Sequence, residues 1–315
     1  MAQSNAALPT ALSTHAQTSA RKRRNFFSFD NPWLWLSPAI LFLLFYSVFP
    51  LIFNILVSLH EWRTRAPRGF RWEGLDNWQK LLFDDPRFGN ALLVTVQYVV
   101  GALLIQLVLG LLIALLLDAR PWGVGFMQTA LILPMVTAPA IAGMMFRLLE
   151  HPDFGIISWI TYRLGLLTPD EPLLGGKGLY ALIAVLIVEI WQWTPFFILI
   201  FLAGLKGLPT EIIEAAEVDG ANFWQRIVRI KIPMLFGVIT VAVLFRLVDL
   251  YKVFDYVVIM TAGGPAGRTE TVSFYSYVNT FQQTKWGYGA AIGVFIMLLG
   301  WVSAFVYQRV FRVKW

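Results

Sequence analysis

The chain has 315 residues, 57% of them hydrophobic and 14% charged, with a formal net charge of +6, whereas soluble domains carry roughly a quarter charged residues. Composition therefore reads as an integral membrane protein. With no cysteine, disulfides, thiolate metal sites and cysteine nucleophiles are excluded, and the scattered histidines His15, His60 and His151 leave little for a metal centre. The basic excess is dispersed, which fits membrane flanks and argues against nucleic acid.

Residues 1–30, rich at first in Ala, Ser, Thr and Gln, read as a disordered cytoplasmic tail. "RKRR" at Arg21 to Arg24 precedes an apolar run too long for a signal-peptide core and without a cleavage site, so it is expected to remain as an anchor. A spanning helix needs about 20 mostly apolar residues. Six stretches qualify, near 33–59, 89–117, 124–147, 179–204, 233–258 and 288–310. The expected fold is all-α, with residues 31–315 forming one six-helix transmembrane domain. With Arg246 set aside, the basic residues divide evenly, twelve to a side. The four before the first span favour a cytoplasmic amino terminus, and an even helix count then places "QRVFRVKW" in the cytoplasm too. Pro134 and Pro139 predict kinks in the third span. "GAAIG", Gly289 to Gly293, permits close helix approach, as a dimer face or as internal packing.

Between the fourth and fifth spans lies "EAAEVDGANFWQRIVRIKIP", Glu214 to Pro233. On a helical wheel Ile212, Ile213, Ala215 and Ala216 share one side, and Glu211, Glu214 and Glu217 the other. Pro209 and Thr210 predict a helix start, Gly220 a sharp turn, and Asn222 a second short helix ending at Pro233. A hairpin lying on the membrane surface is one reading. Three carboxylates on one face favour a basic protein groove instead.

Charges such as Glu189 and Arg246 fall well inside the spans, where they need a cause. Glu189 and Arg246 lie at similar depth, about 22 Å and 20 Å from the ends of their helices. Glu189, Trp193 and Phe196, with Gln192 alongside, form one stripe; Arg246, Asp249, Leu250 and Val253 form another. An aromatic ring beside charged groups suits a sugar-like solute. The same residues also fit plain neutralisation, Glu189 with Arg246 or Arg246 with Asp249. Buried charges further suit ion coupling in a secondary transporter.

The polar stretch resembles the EAA loop of ABC importer permeases, matching it at Glu214, Ala215, Ala216, Gly220, Ile230 and Pro233, with Ile232 where Leu is usual. "LAGLKGLPTEIIEAAEVDGA" and "FDYVVIMTAGGP" resemble the carbohydrate-uptake branch, of maltose and glycerol-phosphate type, and the likeness runs from about Trp35 onward. It implies the type I importer fold, with the loop at 205–233 docking on a cytoplasmic ATPase through Glu214, Ala215, Ala216, Asp219, Gly220 and Phe223. It implies three partners besides membrane lipid: a homologous second permease, an ABC ATPase dimer and an extracytoplasmic solute-binding protein. No cofactor is expected on this chain, ATP and Mg belonging to the ATPase, and the location implied is the bacterial inner membrane. The two polar stripes match, by counting outward from the loop, the positions that line the sugar site in the maltose-type permeases. "GGKG" at Gly175 to Gly178 lacks P-loop spacing, and neither a zinc-protease nor a serine-hydrolase motif is present. The resemblance leaves sugar, polyol, sugar phosphate and sulfonated sugar open as solutes.

Overall fold

The computed structural model describes residues 32–63, 69–119, 122–176 and 179–311. "RKRR", the tail before it and the last four residues lie outside the described residues. The chain divides into two units, 1–52 and 53–315.

Among the described residues, five helices are long and apolar enough to cross a membrane. They are α1 (Trp35–Ser58), α2 (Pro86–Asp118), α6 (Tyr180–Lys206), α8 (Phe223–Leu250) and α10 (Trp286–Phe311). The third expected span is instead two helices, α3 (Val124–Val136) and α4 (Pro139–Leu149), bent 98° to one another. A pair of kinks is thus a full break. Ala138, which precedes Pro139, has the extended backbone that a following proline enforces, and Pro139 opens α4 at its first position. With that pair taken as one span, the count is six.

Both α1 and α8 contain a π turn, at Leu44–Val48 and Ile227–Lys231. In each case the N–H five residues on closes the turn, and a proline follows at once: Phe49 bonds Leu44 ahead of Pro50, and Ile232 bonds Ile227 ahead of Pro233. Proline has no N–H for an ordinary helical bond, and widening the turn carries the helix past it. The expected helix end at Pro233 is therefore a π turn inside one continuous helix. The expected fifth span also stops short, at Leu250 rather than near 258. There hydroxyls take over the backbone carbonyls, Ser273 Oγ donating to Tyr251 O at 2.9 Å and Thr271 Oγ1 to Val253 O at 3.1 Å.

α2 lies along α6 closely enough that a Cβ on Gly110 would fall 2.4 Å from Phe197 Cβ. α8 packs on α6, α2 and α10. Phe197, Phe201, Ile198 and Leu235 fill the core towards the 205–233 end, while Val99, Val185, Val188 and Val257 belong to a second core around Tyr98. Gly289 meets Thr280, and Gly293 lies near Asn54, so the "GAAIG" face is occupied within this chain. At the opposite end a two-stranded antiparallel ribbon pairs β1 (His60–Glu61) with β2 (Arg71–Trp72), and the chain between the long helices adds the short helices α5 (Ile156–Arg163) and α9 (Val272–Tyr277). Asp85 caps α2 by accepting from the N–H groups of Arg87 and Phe88, and it also accepts from the hydroxyls of Tyr275 and Tyr288. Burial alone would raise its carboxyl; these four donors outweigh burial and hold it below the usual range. Beside it Arg87 grips Glu270 with two bonds of 2.9 and 2.8 Å, fixing the 262–271 loop to the start of α2.

Candidate functional site

A cavity of about 580 Å³ opens beside α6, α8 and α10. Trp193 and Phe196 come from α6, Leu244, Phe245, Arg246, Val248 and Asp249 from α8, and Ala304 and Gln308 from α10, with Lys252 just beyond α8. The two expected stripes do meet. Arg246 donates to Glu189 and to Asp249, and its guanidinium lies 4.6 Å from the Trp193 ring centroid, a cation–π contact.

Burial sorts these groups into a wall and its support. Asp249 is 52% exposed, whereas the Glu189 and Arg246 side chains are 4% and 3% exposed. Glu189 is fully engaged from behind. Tyr98 Oη donates to it at 2.9 Å and Gln106 Nε2 at 3.0 Å, both from α2. Removing one member of such a set strands the other charge, at a cost of about 3–5 kcal/mol. Both neutralising pairs left open on the sequence therefore exist, and they coexist with a wall in which Asp249 is exposed and Trp193 and Phe196 are half-buried. Gln192 points elsewhere: Nε2 donates to Thr137 O at 2.6 Å, satisfying a carbonyl at the break between α3 and α4, and Oε1 accepts from Tyr256 Oη at 2.7 Å. Leu250 and Val253 sit in the apolar core and do not line the cavity. Tyr98, Gln106, Lys252 and Gln308 were not anticipated. Tyr98 and Gln106, polar within an otherwise apolar span, were the signal available for two of them.

The polar stretch folds as a helical hairpin. α7 (Thr210–Val218) starts at the expected place, Gly220 turns at φ +80°, and Asn222 and Gln225 form a reciprocal capping box at the start of α8. Glu211 and Glu214 are exposed. Glu217 is not part of a free acidic face, because it pairs with Arg226 across the hairpin. Ala215, Asp219, Gly220 and Phe223 are exposed, and Ala216 is half-buried.

A charged and aromatic wall thus lies midway along the packed apolar helices, with a polar hairpin where two of them join. Residues 106–313 match the binding-protein-dependent transport system inner membrane component family, and the chain belongs to that family. It is the non-catalytic, multi-pass inner-membrane subunit of a binding-protein-dependent ABC importer. It is 33% identical over 296 residues to a probable ABC transporter permease protein, y4oQ, of Sinorhizobium fredii, covering 93% of this chain and 94% of that one. It is 30% identical to the trehalose/maltose transport system permease protein MalF of Thermococcus litoralis, over 90% and 94% of the two chains. To the sulfoquinovosyl glycerol transport system permease protein SmoG of Agrobacterium fabrum it is 32% identical, over 89% and 90%. Its fold matches the crystal structure of a bacterial ABC transporter involved in import of the acidic polysaccharide alginate, with a TM-score of 0.76, 22% identity and coverage of 89% and 94%. Ion coupling by the buried charges, the secondary-transporter reading, gives way to this membership.

Proposed function

We propose that the chain is one permease half of an importer for a sugar or sugar-like solute, and that the 580 Å³ cavity is its part of the solute path. The carrying observation is the single wall made by Trp193, Phe196 and Asp249, braced by Arg246. An indole presents a flat apolar face to sugar C–H groups, and a carboxylate and a guanidinium bond hydroxyls. Relatives whose names specify trehalose, maltose, sulfoquinovosyl glycerol and arabino-oligosaccharides support this solute class. The partners are a homologous second permease closing the other side of the cavity, an extracytoplasmic binding protein and a cytoplasmic ATPase dimer, which holds the ATP and Mg. The hairpin at 205–233 is the ATPase-docking element, with Glu214, Ala215, Ala216, Asp219, Gly220 and Phe223 at the contact and both termini cytoplasmic.

Reconstituted complexes test the wall. Trp193→Ala and Asp249→Ala should each abolish most transport while complex assembly and basal ATP hydrolysis persist. Glu189→Ala should instead reduce assembly and thermal stability, since it leaves the buried Arg246 with only the half-exposed Asp249 and takes the acceptor from Tyr98 and Gln106. Normal transport by both wall variants would sink the assignment.

A further inference from the structure

Where α2 ends, Asp118 accepts a hydrogen bond of 2.6 Å from Lys231 Nζ, in the π turn of α8. The two side chains are 18% and 20% exposed, so this is not a loose surface pair. They border a cavity of about 210 Å³ that also touches Ile213 of α7 and the Glu217–Arg226 pair. The inner side of the hairpin, which the chain itself joins to α6 and α8, is therefore also seated on the end of α2 through charge.

The same α2 reappears behind the solute wall. Gln106 lies 12 residues before Asp118, or about 18 Å along the helix, and Arg246 lies 15 residues after Lys231, or about 22 Å. Gln106 and Arg246 meet at Glu189. α2 and α8 are thus tied twice, at the hairpin by Lys231 with Asp118 and at the wall through Glu189 of α6. Loss of the tie at the hairpin would let α8 slide or rotate on α2 while leaving the wall's own bonds intact.

We infer that Asp118 and Lys231 are a positioning pair for transport, transmitting displacement of the hairpin to α2 as well as α8, so that ATPase closure moves the support of the solute wall and the wall together. The inference rests on the hairpin being the ATPase-docking element. Lys231 acts from within a π turn, a local geometry that recurs at functional places in helices.

The test uses the complete complex, with permease, ATPase and binding protein, in lipid nanodiscs and proteoliposomes. Asp118→Asn should keep the ATPase bound and basal hydrolysis near the parental rate, and should lower solute transported per ATP about fivefold or more. The charge exchange Asp118→Lys with Lys231→Asp should restore most of that ratio. Should Asp118→Asn fail to assemble, recovery of both assembly and ratio in the exchange still supports the pair, and no recovery overturns it. A parental ratio in Asp118→Asn overturns it as well. Glu214→Lys serves as the separate control: if it leaves ATPase binding and transport unchanged, the docking reading of the hairpin has failed, whereas a defect there with normal Asp118→Asn removes only the positioning pair.

Discussion

Glu150, the residue just beyond the end of α4, is fully buried, and neither carboxylate oxygen has a hydrogen-bond partner among the described residues. Burial pushes its carboxyl from about 4.5 up to about 9. The sign of the consequence follows from proton linkage. The folded chain holds the proton after the unfolded chain has given it up, so the stability associated with protonated Glu150 is complete below about pH 4.5 and is lost as pH rises toward 9. Glu150→Gln, which keeps the shape and removes the charge, should leave the melting temperature in detergent almost unchanged near pH 5 and raise it clearly at pH 8.5. The gain should be on the order of a few kcal/mol, at about 1.4 kcal/mol per pH unit of the interval. Equal melting temperatures at pH 8.5 would mean that the ionised carboxylate is compensated after all. Glu189 is a different case, because Tyr98, Gln106 and Arg246 all serve it. Two buried carboxylates in one chain thus call for opposite expectations on neutral substitution.

The hairpin is the element on which the proposed ATPase docking depends. Its turn uses Gly220 at φ +80° with no atom within 4 Å of where a Cβ would stand, so a larger residue meets strain from the backbone alone. Valine is poorly tolerated in that region, at a cost of order 1–3 kcal/mol. Gly220→Val and Glu214→Lys should each weaken ATPase association or uncouple hydrolysis from transport, the first by distorting the turn and the second by reversing an exposed charge. Both variants should still express and insert, since these residues lie outside the apolar spans. Co-purification of the ATPase, with transport and hydrolysis rates, reads the effect; parental values for both would leave the hairpin without a coupling role. Glu217→Lys is a poorer probe, because it would break the internal pair with Arg226 before any question of docking arose.

At the scale of the molecule, orientation across the membrane follows from the docking assignment, since a hairpin that meets an ATPase must face the cytoplasm. The turns that include Asp153 then face outward. The absence of native cysteine makes this simple to read. Cysteine placed at Asp153 should react with an impermeant maleimide on intact cells, and cysteine at Asn222 only after the membrane is opened. The reverse labelling would invert the topology and with it the docking assignment. The wall of Trp193, Phe196 and Asp249 is open on one side in a single chain. A second permease closing it would give the solute a polar, enclosed route, as membrane-depth polar groups require.

Much of this was legible without coordinates, because bilayer thickness and helical period act on neighbours in the chain. They marked the six apolar stretches, the start of α7, the turn at Gly220 and the common depth of Glu189 and Arg246. The bond between those two residues, 57 positions apart, follows from that depth once their helices are packed. Tertiary structure alone decided which way each polar group faced. Gln192 turned to the carbonyl freed at Thr137, Glu217 turned to Arg226, and Leu250 and Val253 went into the core. Gln106 reached Glu189 across 83 residues, and Lys231 reached Asp118 across 113. Such pairings depend on the rotation and axial offset of whole helices. Those are set by close approaches such as Gly110 against Phe197, and local periodicity carries no information about them.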